Sequence, residues 1–91
     1  MTTDHIVMYG ADWCGDCHRS RSFFDQHQVF YRWIDIDSDP HAEDFVRQTN
    51  QGTVIIPTII FLDGTHMVEP TNAELATKLG IPWQQEEIHA P

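Results

Sequence analysis

The chain has 91 residues, 41% of them apolar, with five Phe, three Trp and two Tyr, enough for one compact domain with a modest core and too few for two. Fourteen acidic residues face five basic ones, a formal charge of −9, which excludes the basic phosphate-contacting surface of a nucleic-acid binder and argues against anionic membranes as partners. Acid in this excess needs no partner at all: it keeps a small protein soluble, and a monomer is expected. No apolar run approaches the ~20 residues that span a bilayer. The polar start Met1-Thr2-Thr3-Asp4-His5 has neither the basic nor the apolar segment of an export signal. The expected compartment is therefore the cytoplasm.

In chain order, strand and helix signals alternate. Residues 5–9, containing Ile6-Val7-Met8-Tyr9, read as a short buried strand. Residues 10–15 form a loop in which Gly15 allows a tight turn. From Cys17 to about residue 28 an amphipathic helix is expected, with Phe23, Phe24 and His27 on its apolar face and Arg19 and Arg21 on its other sides. Residues 29–36 read as a second strand, whose Phe30, Tyr31 and Trp33 belong to the core or the sheet surface. Asp37-Ser38-Asp39-Pro40 stops that strand. Asp39 can cap a second helix with Pro40 at its first position. This helix extends to about residue 49 with Phe45 and Val46 toward the core, and Asn50-Gln51-Gly52 ends it.

Val54-Ile55-Ile56 then meets Pro57, followed by a third strand over residues 58–62. Asp63-Gly64 is a hairpin turn signal, so residues 66–68 form a fourth strand antiparallel to the third. Pro70-Thr71-Asn72 opens a last helix, residues 73–78, closed by Gly80. A strand–helix–strand start of this length implies parallel first and second strands. The expected fold is α/β: β-α-β-α-β-β-α with a mixed four-stranded sheet. The domain is expected to span residues 1–80, with a C-terminal extension over 81–91. In that extension Trp83 docks back on the domain and the last residues are loose.

The chemistry concentrates at Trp13-Cys14-Gly15-Asp16-Cys17, which holds the only two cysteines. Two cysteines three positions apart at a strand-to-helix junction read as a redox dithiol. In the first turn of a helix they share one face, and the unpaired N–H groups there favour a thiolate. Cys14, on the loop side, is the expected nucleophile. Cys17, one turn further in, is the resolving partner that attacks the mixed disulfide. Three other readings are weaker. A structural disulfide closes too short a loop to add much stability, and reducing cytosol does not preserve it. A metal site lacks ligands: the six histidines, His5, His18, His27, His41, His66 and His89, stand at no zinc-finger spacing. The haem-attachment string Cys14-Gly15-Asp16-Cys17-His18 is matched literally, but in a chain with strand signals throughout. No metal is expected. His18, beside Cys17, is the one histidine placed to tune proton transfer.

Taken together, Asp12-Trp13-Cys14, Val54-Ile55-Ile56-Pro57-Thr58, Phe61-Leu62-Asp63-Gly64-Thr65 and Pro70-Thr71-Asn72-Ala73-Glu74 resemble the thioredoxin superfamily. Within it, the short chain is similar to glutaredoxins, in particular their mycoredoxin and NrdH-like branch. The resemblance implies a thiol–disulfide oxidoreductase that reduces protein disulfides or mixed disulfides. It implies no tightly bound cofactor and a low-molecular-weight thiol, mycothiol or glutathione, as co-substrate. It also implies that Pro57 is a cis proline facing the cysteines, although the residues alone equally allow Pro57 simply to begin the third strand. Carried over likewise, Ile56 and Thr58 flank the bound thiol, and Thr71 and Asn72 form the far wall of its groove; Trp13, read from its place beside the cysteines, either supplies docking surface or caps the core. The family also admits an electron donor to ribonucleotide reductase recycled by thioredoxin reductase, and an iron–sulfur-cluster-binding protein.

The chain departs from the family pattern in two places. Asp16 replaces the usual aromatic before the second cysteine, and with Asp12 it opposes the thiolate-favouring helix start. Val68-Glu69-Pro70-Thr71-Asn72 lacks the Gly-Gly turn of glutathione-binding members, and Arg47 is the one base expected near the groove. Such an acidic groove suits mycothiol, which carries an uncharged sugar, better than glutathione with its two carboxylates.

Overall fold

The computed structural model describes residues 4–83. Strand β1 (Ile6–Gly10) is followed by helix α1 (Gly15–Gln26) and strand β2 (Tyr31–Asp35). A 3-10 turn (Ile36–Ser38) leads into helix α2 (Pro40–Thr49); strands β3 (Thr58–Ile60) and β4 (His66–Val68) and helix α3 (Asn72–Leu79) complete the order. The sheet runs β2-β1-β3-β4, with β1 and β2 parallel and the other two pairings antiparallel. This is the α/β, four-stranded mixed architecture that the alternation of signals predicts. No helix of the described residues is long and apolar enough to cross a membrane.

The period-two alternation of β1 divides the core between the two faces of the sheet. Ile6 and Met8 point to one face, where Phe23 and Phe24 of α1 and Leu75 and Ala76 of α3 pack on them with Ile59 and Phe61. Tyr9 points to the other, where Ile34, Val54 and Ile56 meet Ala42 and Val46 of α2 beside Ile36. Each fully buried Phe contributes about 1.5–3 kcal/mol. Ile81 and Trp83 pack against the larger cluster, so the chain folds back onto the domain after α3. The last residues of the extension, expected to be loose, lie outside the described residues.

Among the boundaries that differ from the sequence reading are the exit of α1, the start of β2 and the end of β3. α1 ends at Gln26 because Gln28 adopts a left-handed φ of 57° and the Val29 N–H returns to the Phe24 carbonyl at 2.9 Å. Residues 29 and 30 are therefore spent on the helix exit and β2 starts at Tyr31. α2 and α3 close in the same manner: Gln51 and Gly80 take positive φ, and Gly52 and Ile81 donate to Arg47 (2.7 Å) and Ala76 (2.8 Å). β3 is shorter than expected because Phe61 already belongs to the turn, pairing with Thr65 (2.8 Å) and Gly64 (2.9 Å). Phe45 is a correction: Ala42 and Val46, one turn apart, take the sheet-facing stripe of α2, leaving Phe45 42% exposed with its ring on Tyr9.

Candidate active site

Gly10 ends β1 and starts the site. A Cβ there would lie 2.5 Å from Cys17 Sγ and 2.7 Å from the Trp33 ring, so only glycine lets the cysteine tuck against the strand end. The chain then turns: the Cys14 N–H bonds the Ala11 carbonyl at 3.2 Å, and Cys14 becomes the N-cap of α1 with extended φ and ψ of −91° and 118°. Its carbonyl accepts from the His18 N–H, but no side chain caps this helix start. The first-turn N–H groups of α1 are thus left without a side-chain acceptor.

The two thiols are free and sit in unlike surroundings. Cys14 is part-exposed, and its Sγ–H points at the Ile56 carbonyl, 3.9 Å away, where the Ile56–Pro57 peptide is cis. Cys17 is fully buried. Burial pushes its thiol up to about 12; the hydrogen bond with Cys14 and the charges of Cys14 and Asp16 add to this, and a backbone hydrogen bond at Ala11 opposes it.

Around the pair, the other expected site residues fall into different roles. Trp13 is 72% exposed, and its indole N–H donates to Asp37 Oδ2 at 2.7 Å, tying the active loop to the 3-10 turn. Pro57 is buried, and its carbonyl accepts from the Glu69 N–H at 2.9 Å, joining the cis loop to the end of β4. The Thr58 hydroxyl is buried, donating to Ile55 O (2.6 Å) and accepting from Asn50 Nδ2 (3.1 Å), which braces the cis loop. His18 is engaged with the loop through Nε2 and the Asp12 carbonyl. Among the described residues, no three His, Cys, Asp or Glu side chains gather as a metal-ligand set.

Arg19 and Arg21 are not solvated bystanders. Arg21 stacks on Trp33 with its guanidinium carbon 4.1 Å from the ring centre, and it reaches Tyr31 Oη at 3.3 Å. Arg19 crosses to the start of α3, donating to Asn72 Oδ1 (2.9 Å) and to Pro70 O (2.8 Å), with Asp16 at 3.5 Å. Arg19 lines a groove of about 470 Å³ together with Asp16, Glu69, Thr71 and Asn72. Arg19, not Arg47, is its base: Arg47 pairs with Glu43 (3.6 Å) and Asp44 (3.4 Å) on its own helix. Gly10, Glu69 and Asp37 are site residues that sequence reasoning passed over, and Arg19, weighed there only as a base near the cysteines, was not placed in the groove. Gly10 carried a signal, a glycine at the end of a strand, whereas Arg19, Glu69 and Asp37 take their places only through tertiary contacts.

A dithiol at the first turn of α1, set against a cis proline on a β2-β1-β3-β4 sheet, defines a thioredoxin-like redox protein. The fold agrees with that of a thioredoxin-like protein solved as a point mutant, with a TM-score of 0.77 at 21% identity over 88% of this chain and 100% of the other. The glutaredoxin family profile matches residues 6–67. Mycoredoxin 1 of Corynebacterium glutamicum is 35% identical over 75 residues, covering 82% of this chain and 92% of its own. A Mycobacterium tuberculosis protein named as a glutaredoxin is 32% identical over 79 residues, covering 87% and 94%. The chain belongs to the glutaredoxin family and is a thiol–disulfide oxidoreductase.

Proposed function

We propose that this protein reduces mixed disulfides between client proteins and a low-molecular-weight thiol, and protein disulfides, through Cys14 and Cys17. The observation that carries this reading is the unequal pair: a part-exposed Cys14 at an uncapped helix start beside a cis proline, with Cys17 buried one turn below. The Cys14 thiolate attacks the small-thiol sulfur of the mixed disulfide. A Cys14–thiol disulfide forms, the client–sulfur bond breaks, and the client leaves as a thiolate that takes a proton from solvent. A second small thiol, as its thiolate, then attacks the thiol sulfur bound to Cys14, releasing the symmetric disulfide and regenerating Cys14. On a protein disulfide, Cys14 first bonds one client sulfur and releases the other as a thiolate; Cys17, giving its proton to solvent, then attacks Cys14, freeing the second client sulfur and leaving a Cys14–Cys17 disulfide. Two small thiols reduce that bond and are oxidised to their own disulfide.

The buried, protonated state of Cys17 supports the first route for mixed disulfides, because a thiol pushed up to about 12 supplies little thiolate near neutrality. Thr71 and Asn72 wall the groove, Ile56 and Pro57 border the sulfur, and exposed Trp13 offers the client a docking surface. The preferred small thiol is mycothiol, and the working compartment the cytoplasm. Two observations support mycothiol: a curated relative is named a mycoredoxin, and the groove's one base is already engaged. Reduction rates of one peptide linked to mycothiol or to glutathione test the reading. A mycothiol preference that survives in Cys17→Ser and vanishes in Cys14→Ser is expected; a clear glutathione preference contradicts it.

A further inference from the structure

Glu69 occupies a costly position. Its φ is +47°, a left-handed backbone that any residue with a Cβ disfavours. The other non-glycine residues with positive φ, Gln28 and Gln51, close helices; Glu69 instead sits between β4 and Pro70 at the groove, its N–H fixed on Pro57 O. Glycine would relieve that backbone, yet a carboxylate stands there. Among the described residues that carboxylate has no hydrogen-bond or ion-pair partner.

The two features that would hold an anionic ligand in this groove are used up internally. Arg19 directs its guanidinium N–H groups to Asn72 Oδ1, Pro70 O and Asp16. The start of α3 is closed by a capping box, in which the Thr71 N–H donates to Glu74 Oε1 at 2.8 Å and the Glu74 N–H donates to Thr71 Oγ1 at 3.1 Å. That box also places the Glu74 carboxylate at the positive end of the helix. With Asp16 paired, the uncompensated charge lining the groove is that of Glu69.

We propose that Glu69 is a specificity-determining residue. It repels thiols that carry carboxylates and selects a co-substrate whose non-sulfur end is an uncharged polyol or a cation. This rests on the mixed-disulfide reading above and names the side chain that enforces its selectivity.

The test compares one peptide linked through a disulfide to glutathione or to glutathione diethyl ester, which keeps the backbone and removes the carboxylate charges. In the full-length wild-type protein at low salt, kcat/KM for the ester exceeds that for glutathione by about three- to tenfold. The ratio falls toward one in Glu69→Gln, which keeps the backbone demand and loses the charge. It inverts in Glu69→Lys, and added salt compresses it in the wild type. A ratio identical in all three proteins, or a wild type that prefers glutathione, overturns the assignment of Glu69 while leaving mixed-disulfide reduction standing. A protein that reduces the same peptide linked to mycothiol but neither of these substrates overturns the assignment of Glu69 alone, and one that reduces none of the three removes the mixed-disulfide reading and this inference with it.

Discussion

Two helices begin at one groove and are built in opposite ways. α3 starts on a closed capping box of Thr71 and Glu74, with both orphan donors satisfied. α1 starts on Cys14 with no side-chain cap at all, and an absent cap forgoes about 1 kcal/mol of stability. α2, remote from the chemistry, is capped by Asp39 at 3.1 Å, with Pro40 following. The difference separates a helix start closed by its own side chains from one whose first-turn donors have no side-chain acceptor, where the proposed nucleophile Cys14 sits.

The strongest way to break this contrast is Cys14→Ser. Serine caps helices but does not attack disulfides. Turnover on a mixed disulfide is expected to drop at least about a thousandfold, while the unfolding midpoint rises by the equivalent of about 0.5–1 kcal/mol. Lost activity without a stability gain would show that α1 is not waiting for a cap.

Gly10→Ala probes the opposite side of the pair. The new methyl meets Cys17 Sγ and the Trp33 ring, and overpacking of this kind costs about 1–3 kcal/mol. Denaturant unfolding should reveal that loss, and it should shrink when Cys17→Ala is added, because the double variant removes one of the clashing groups.

Alkaline pH sharpens the contrast between the cysteines. Cys17 keeps its proton in the fold up to about 12, whereas in the unfolded chain it loses it near 9. Between those values the unfolded state binds fewer protons, so stability falls as pH rises from about 9. Thermal unfolding against pH should show a shallower alkaline decline in Cys17→Ala than in the wild type. Parallel curves would mean that burial does not hold the thiol protonated.

The smallest effect belongs to the closed helix start. Thr71→Ala breaks the capping box and should lower stability by about 1 kcal/mol, read from chemical denaturation. No loss at all would put the two helix starts on an equal footing.

What could be read in the chain follows the range of the interactions involved. α2 was legible to the residue because Asp39 and Pro40 act locally, on the turn they begin. The exit of α1 was not, because Gln28 holds a left-handed conformation more typical of Gly or Asn. Cys14 and Cys17 stood out by spacing, and Pro57 by its resemblance to a family pattern. The absence of a Gly pair before α3 was equally visible. What no local pattern discloses is that Arg19 is consumed by Pro70 and Asn72, some fifty positions away in sequence (|i−j| of 51 and 53), leaving Glu69 as the groove's open charge.

The inequality of the two sulfurs is tested most directly by alkylating the reduced native protein with iodoacetamide and mapping each cysteine by mass over time. Cys14 should be labelled first, with Cys17 protected until denaturant is added. Labelling of Cys17 at a rate equal to or above that of Cys14 in the folded protein would contradict the account.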